Sequence, residues 1–326
     1  MFIDSIDIKE FRGIKCLVEP IRFSRINILF GRNNAGKTTI LDALSLLPKP
    51  DIEDPIMRDK TNRDPVITGK NKIDILSNIH NAKQKGYRAL LRFYAGRSEI
   101  KYVIENEEYF LRINENNFEL STPTGIIQDN KEIYRIFKTI EINNLVIYIP
   151  FNTNYFNIME QRIEDLQYQI NKYGYNVKIA KLINQSLDDK YSEIIFRDRI
   201  VLRKILGAEE FNYVELKDLG TGAEKVIKIM ALVEILKPKL LLIDDFAAGL
   251  HPSLIDIFLN WLEEKELQSI VTTHSIDVLY RLTKMESEDI QILFLKKSQN
   301  DILSFKIYSP IEIENYLDTN TDPRVL

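Results

Sequence analysis

Residues 26–38 read Ile26-Asn27-Ile28-Leu29-Phe30-Gly31-Arg32-Asn33-Asn34-Ala35-Gly36-Lys37-Thr38, a short apolar run that stops at a glycine and enters an unbroken G-x-x-x-x-G-K-[ST] pattern. From Lys37 the period changes: Ile40, Leu41, Leu44 and Leu47 recur at helical spacing until Pro48 and Pro50 end the helix. A buried strand, a glycine-bounded loop and a helix, in that order, are what a phosphate-binding loop requires. Gly31 and Gly36 allow the tight turn that aims successive N–H groups at β- and γ-phosphate oxygens, and the positive end of the helix adds to that field. Lys37 supplies a point charge to the same oxygens, and the Thr38 hydroxyl is the expected Mg²⁺ ligand. The nucleotide contacts are therefore assigned to Gly31, Asn33, Asn34, Ala35, Gly36, Lys37, Thr38 and Thr39.

Working outward, Ile3, Ile6 and Ile8 lie among polar residues as in a strand, and Phe11-Arg12-Gly13 reads as a turn. Residues 48–75, rich in Pro, Asp, Asn and Lys, read as an exposed connection. Residues 87–120 alternate, beginning with Arg88-Ala89-Leu90-Leu91-Arg92-Phe93, and predict a small antiparallel sheet with turns at Gly96, Glu107 and 114–117. Leu145–Ile149, before Pro150, is another buried strand. Met159, Ile163, Leu166, Ile170 and Tyr173 step by four and three, a stripe of two heptads that suits a packed helix better than a coiled coil. After Gly220 the pattern becomes helix 224–236, strand 239–244, helix 253–265, strand 268–273, helix 276–283, and strands 291–296 and 303–308. Such alternation implies parallel strands with crossover helices, an α/β fold.

A phosphate loop needs an acid to hold the metal. Leu240-Leu241-Leu242-Ile243 is a central-strand run that ends in Asp244 and Asp245, at the edge where open parallel sheets bind ligands. Asp244 would orient Mg²⁺, and Asp245 stands where a general base for the attacking water would stand; a strand ending in solvated acids is the plainer alternative. The strand 270–273 ends in His274, placed to polarise a γ-phosphate or sense its loss rather than to serve only as a structural histidine. Gly220-Thr221-Gly222 opens a long apolar helix and makes either a second anion site or an ordinary capped helix start.

Composition narrows the class. Among 326 residues, 44 basic and 48 acidic side chains give a net charge of −4. No apolar run approaches the ~20 residues that cross a bilayer, and the N-terminus does not read as a signal peptide. The lone Cys16 excludes a disulfide framework, and three histidines argue against a multi-histidine metal cage. A soluble, cytoplasmic protein without a membrane partner is expected. Segment 58–101 is the exception in charge, with eleven basic residues against four acidic ones. It suits either a DNA phosphate backbone or a solvated strand face.

Taken together, these elements resemble the ABC-type ATPase heads of the RecF/SMC group, most closely the ATPase domain of the OLD (overcoming-lysogenization-defect) family. The likeness rests on Phe11-Arg12-Gly13-Ile14 followed by the G-x-N-x-x-G-K loop, on Gly249-Leu250-His251-Pro252 after the acids, and on Thr273-His274-Ser275. It implies a P-loop NTPase with ABC-ATPase head architecture: a mostly parallel central sheet flanked by helices, an antiparallel β-lobe and a short helical lobe. The corresponding segments are 1–50 (core, Walker A), 51–143 (β-lobe), 144–218 (helical lobe) and 219–326 (core, with signature loop, Walker B, D-loop and switch histidine). The resemblance implies ATP and Mg²⁺ as cofactors. It makes Lys37, Asp245 and His274 the catalytic set, Thr38 and Asp244 the metal ligands, and Arg12 a nucleotide contact. Gly220, Thr221 and Gly222 would reach the ATP of a partner subunit, so an ATP-dependent homodimer is implied.

Three departures stand out. Asp245 replaces the usual glutamate and is one methylene shorter, which predicts slow hydrolysis. Ala223-Glu224 replaces a glycine-glutamine pair, and Asn152 or Asn154 substitutes for the Q-loop glutamine. The length leaves little room for the TOPRIM nuclease that OLD proteins append, so a nuclease or effector would be a separate polypeptide. The implied role is DNA maintenance or anti-phage defence. The rivals are a nucleotide-gated scaffold for a toxin or nuclease with negligible turnover, and a transporter ATPase subunit.

Overall fold

The computed structural model describes residues 2–57, 71–80, 82–139, 141–197, 199–207, 210–285, 287 and 289–319. The chain begins with β1 (Ile3–Phe11), β2 (Ile14–Leu17), β3 (Ile21–Arg22) and β4 (Ile26–Gly31), then α1 (Lys37–Ser45) and α2 (Lys72–Ile79). Next come β5 (Arg97–Ile104), β6 (Glu107–Asn114), β7 (Phe118–Thr122), β8 (Gly125–Ile126), α3 (Asn130–Phe137) and β9 (Val146–Ile149). A middle section holds α4 (Thr153–Asp165), α5 (Gln167–Lys172), α6 (Tyr175–Ile183), β10 (Tyr191–Phe196), β11 (Ile200–Ile205) and β12 (Phe211–Glu215). The last section is α7 (Thr221–Leu236), β13 (Leu240–Ile243), α8 (Pro252–Glu263), β14 (Gln268–Thr273), α9 (Ile276–Leu282), β15 (Ile290–Lys297), β16 (Ile302–Tyr308) and α10 (Pro310–Asp318).

The strands β9, β13, β14, β4 and β15 lie side by side in that order, all parallel. All six residues of β4 are buried, as a parallel strand covered on both faces should be. Side-chain alternation splits the core in two. Ile26, Ile28 and Phe30 point to one face with Ile147, Ile149, Leu241, Ile243 and Val271, under α4, α7 and α8. Leu29 points to the other face with Val146, Tyr148, Leu240, Leu242 and Ile270, under α1. Each fully buried Leu or Ile contributes about 1.5–3 kcal/mol.

Register then positions the chemistry. Thr273 pairs with Phe30, and Ile243 with Val271, so β4, β13 and β14 end together at one edge. Gly31, Asp244 and His274 each follow one of these ends within a residue. The alternation of helix and strand from 220 to 308 is as expected, to within two residues at each end except that α7 begins three residues early, at Thr221.

Other expectations change. The antiparallel strands are not a detached sheet: β5 pairs with β1, and β8-β7-β6-β5-β1-β2-β16 continue directly into β15. Residues 88–93, expected to open that sheet, instead form tight turns, with Phe93 at φ 54 and Tyr94 at φ 65. Leu90 and Leu91 are both buried there, which is incompatible with strict alternation. The segment 48–75 is not uniformly exposed, since Ile52, Asp54, Ile56 and Met57 are buried; residues 58–70 lie outside the described residues. Segment 144–218 is not purely helical. It begins with β9 of the central sheet and ends in the three-stranded antiparallel sheet β10-β11-β12. The stripe 159–173 spans two helices, α4 and α5, with Met159, Ile163, Leu166 and Ile170 buried but Tyr173 exposed. Among the described residues no helix is long and apolar enough to cross a membrane.

Candidate nucleotide site

Gly31 ends β4 at φ 153, hydrogen-bonded in register with Leu295 of β15. A Cβ there would lie 2.5 Å from the Leu295 carbonyl oxygen, a backbone atom held by the sheet. Asn34 (φ 63) and Gly36 (φ 95) make the remaining turn into α1. Asn34 Oδ1 accepts from Lys297 Nζ at 3.2 Å, and the same ammonium donates to the Gly13 carbonyl at 2.9 Å. The loop is thus pinned from β15 as well as by its own glycines. Gly31→Ala is expected to destabilise the chain by about 2–4 kcal/mol, seen as a lower denaturant midpoint, because the clash is with backbone rather than a yielding side chain.

Lys37 is buried, and its Nζ donates to the carbonyls of Gly31 (2.8 Å) and Arg32 (2.9 Å). Burial lowers its pKa to about 8, against the opposing pull of Asp244 and Asp245. Thr38 Oγ1 donates to both oxygens of Asp244, at 3.0 and 3.2 Å. Thr272, inside β14, donates a second hydroxyl to Asp244 at 2.6 Å and accepts the Asp245 N–H at 2.8 Å. Burial pushes the Asp244 carboxyl above its ordinary value; the two hydroxyls oppose this, and the charges of Asp42 and Asp245 add to it. A cation beside Asp244 would relieve that repulsion. Two hard oxygen donors from the protein, with phosphate oxygens and water completing the shell, suit Mg²⁺.

Asp245 sits at φ 45, its N–H on Thr272 and its carbonyl accepting from Lys225 Nζ at 2.9 Å. Burial and the charge of Lys37 lower the His274 pKa, although the two acids and a hydrogen bond with the Gly31 backbone act the other way. The net shift favours the neutral ring. These side chains surround a cleft of about 430 Å³ lined by Arg12, residues 33–39, Asp42, His80, Phe151, Asp244, Asp245, Thr272 and His274.

The cleft therefore collects the loop residues Asn33, Asn34, Ala35, Gly36, Lys37, Thr38 and Thr39 together with Arg12, both acids and His274. Gly220, Thr221 and Gly222 do not line it. Gly220 and Thr221 are exposed, and Gly222 packs so closely on the Gly249 carbonyl that a Cβ would come within 2.4 Å of that oxygen. The expected Q-loop substitutes are also displaced. The Asn152 side chain caps α4 by accepting the Tyr155 N–H at 3.1 Å, Asn154 is outside the cleft, and Phe151 lines it instead.

Sequence reasoning missed Thr272, Lys225, Asp42 and Lys297. Thr272 lies in a strand where four of six residues are polar, so its local pattern does not single it out, and the others are brought in by distant segments.

The basic segment looks weaker as a single patch than its charge suggests. Arg58, Lys60, Arg63 and Lys70 lie outside the described residues. Lys72 is buried and donates to the Leu47 carbonyl. Arg88 pairs with Glu115, Lys101 with Glu108, and Arg92 with Glu10 and Asp301.

Residues 26–279 match the family described as "AAA domain, putative AbiEii toxin, Type IV TA system". An "ATP/GTP phosphatase" of Helicobacter pylori (strain ATCC 700392 / 26695) is 24% identical, across 97% of this chain and 98% of that protein. The "DNA replication and repair protein RecF" of Oenococcus oeni (strain ATCC BAA-331 / PSU-1) is 27% identical across 70% of this chain, which covers 61% of its length. Among solved structures, the Smc head domain of Pyrococcus furiosus, bound to the C-terminal domain of ScpA, superposes with a TM-score of 0.60 at 11% identity, covering 98% of this chain and 99% of that one. The SMC head domain from Thermotoga maritima gives 0.55 at 16% identity, covering 95% and 100%.

Proposed function

The chain belongs to this AAA-domain family and has the fold of an ABC-type P-loop ATPase of the RecF/SMC group, and from that premise we propose that the cleft binds Mg·ATP and hydrolyses it slowly. The observation that carries the reading is the meeting of Thr38 with Asp244 at 3.0–3.2 Å beside a buried lysine, at one sheet edge. Thr38 and Asp244 would hold Mg²⁺, which would screen phosphate charge. Lys37 and the loop amides bind the phosphates. Asp245 takes the proton of the attacking water, its reach limited by a side chain one methylene shorter than glutamate. His274, neutral, offers a hydrogen bond at the same edge.

A homodimer closed around two ATP molecules is supported by the exposure of Gly220 and Thr221 away from the cleft of their own chain. Their amides would meet a γ-phosphate only across an interface. Exposed Lys83, Lys85 and Arg97, together with the relatedness to RecF, support contact with DNA. The motif likeness to the OLD-family ATPase domain supports a part in DNA maintenance or anti-phage defence with a separate effector; that assignment is analogy at the level of the fold.

The pKa of Lys37 supplies a test. With the free site near 8, the lysine is charged at pH 7 and loses its proton as pH rises past 8. A bound triphosphate favours the charged form, so binding at about pH 8.5 takes up protons and affinity falls as pH rises further. Calorimetry in buffers of different ionisation enthalpy measures that uptake. An affinity independent of pH between about 7 and 9, without proton uptake, would exclude Lys37 as the phosphate ligand.

A further inference from the structure

Asp42 is a carboxylate at the wall of the cleft, and its side chain is fully buried. It lies one helical turn beyond Thr38 on α1, on the same face. A carboxylate in such a place needs partners for its charge, and three distant segments supply them, although Oδ2 accepts no hydrogen bond among the described residues. Arg12 Nη1, from the β1–β2 turn, lies 2.9 Å from Oδ2. His80 Nε2, just past α2, is 3.2 Å from Oδ1, and the Tyr148 hydroxyl of β9 donates to the same oxygen at 3.1 Å. Burial by itself would raise the Asp42 pKa, but the charges of Arg12 and His80 and the hydrogen bonds from His80 and Tyr148 bring it below its ordinary value. The carboxylate is therefore charged at neutral pH.

Arg12, Asp42 and His80 all line the cleft, and Arg12 brings its guanidinium to it. Arg12 sits at φ 49, a left-handed conformation that a non-glycine residue adopts at a cost, and its N–H bonds the Leu90 carbonyl at 3.0 Å. The contact with Asp42 is an ion pair rather than a hydrogen bond, so the buried carboxylate holds the guanidinium at the cleft wall by its charge.

We infer that Asp42 is a positioning residue: anchored by His80 and Tyr148, it aims the Arg12 guanidinium at the phosphates of the bound nucleotide. This rests on the nucleotide reading of the cleft. Losing the anchor leaves Arg12 present but mobile, so the effect of Asp42 on affinity passes through Arg12.

A double-mutant cycle on the full chain, read as Mg·ATP affinity by calorimetry, tests this. Arg12→Ala and Asp42→Asn are each expected to weaken binding about tenfold, and the double variant no further than either alone. His80→Gln and Tyr148→Phe keep the carboxylate and the fold; each is expected to weaken binding about threefold in the native background and not at all with Arg12→Ala. They carry the test if Asp42→Asn does not fold. Independent effects that multiply, or full affinity in either partner variant, would overturn the inference. A native chain that takes up no ATP would instead overturn the nucleotide reading itself, and Lys37→Ala provides the non-binding reference.

Discussion

Lys37→Ala should bind Mg·ATP at least about 100-fold more weakly than the native chain and show no turnover above background. Lys37 is the only loop side chain that carries a buried positive charge into the cleft, where charge-assisted hydrogen bonds to phosphate are worth roughly 1.5–3 kcal/mol each. Two or three of them amount to a factor of roughly 10²–10⁴ or more in affinity. The fold should survive. The substitution leaves the Gly31 and Arg32 carbonyls without that donor, a cost of about 1–3 kcal/mol, but it also removes a buried charge whose low pKa records its own desolvation. Calorimetry and a thermal melt on the same sample separate the two effects. Native-like affinity in a folded variant would remove the phosphate-loop assignment.

Asp245→Asn is expected to do the converse: to bind ATP normally and to hydrolyse it about 10²–10⁴-fold more slowly. The amide keeps the size of the carboxylate. The backbone of Asp245, tied to Thr272 and Lys225 through main-chain atoms, is indifferent to the change. Because the nucleotide then persists, the ATP-bound dimer should accumulate, and sedimentation with and without ATP measures it. Asp245→Glu restores the usual length and should raise turnover if reach is what limits the native chain. A native rate no higher than that of Lys37→Ala would leave a nucleotide-gated scaffold in place of an enzyme.

The nucleotide loop was legible in one dimension because its parts are contiguous. Strand, glycines, lysine and helix occupy residues 26–45, and their geometry follows from local backbone preferences and periodicity. The positions of Asp244 and His274 were legible for a related reason: each directly follows a strand, and parallel strands of one sheet finish at a common edge.

What depended on non-local pairing was not legible. Alternation around 97–120 shows strands but not that β5 joins β1, some ninety residues earlier, because a hydrophobic pattern specifies which face a residue takes and not which strand lies beside it. Asp42 reads as a polar position on an amphipathic helix, and Lys72 as one charge in a basic run. Both are buried because Arg12, His80 and Tyr148 converge on the first, and the Leu47 carbonyl accepts from the second. The family resemblance implied that Gly220–Gly222 serve a partner's nucleotide, but the order of the motifs along the chain did not by itself separate them from Lys37. Residues 220–222 lie outside the cleft, where Gly222 packs on the turn at Gly249 too closely for any side chain.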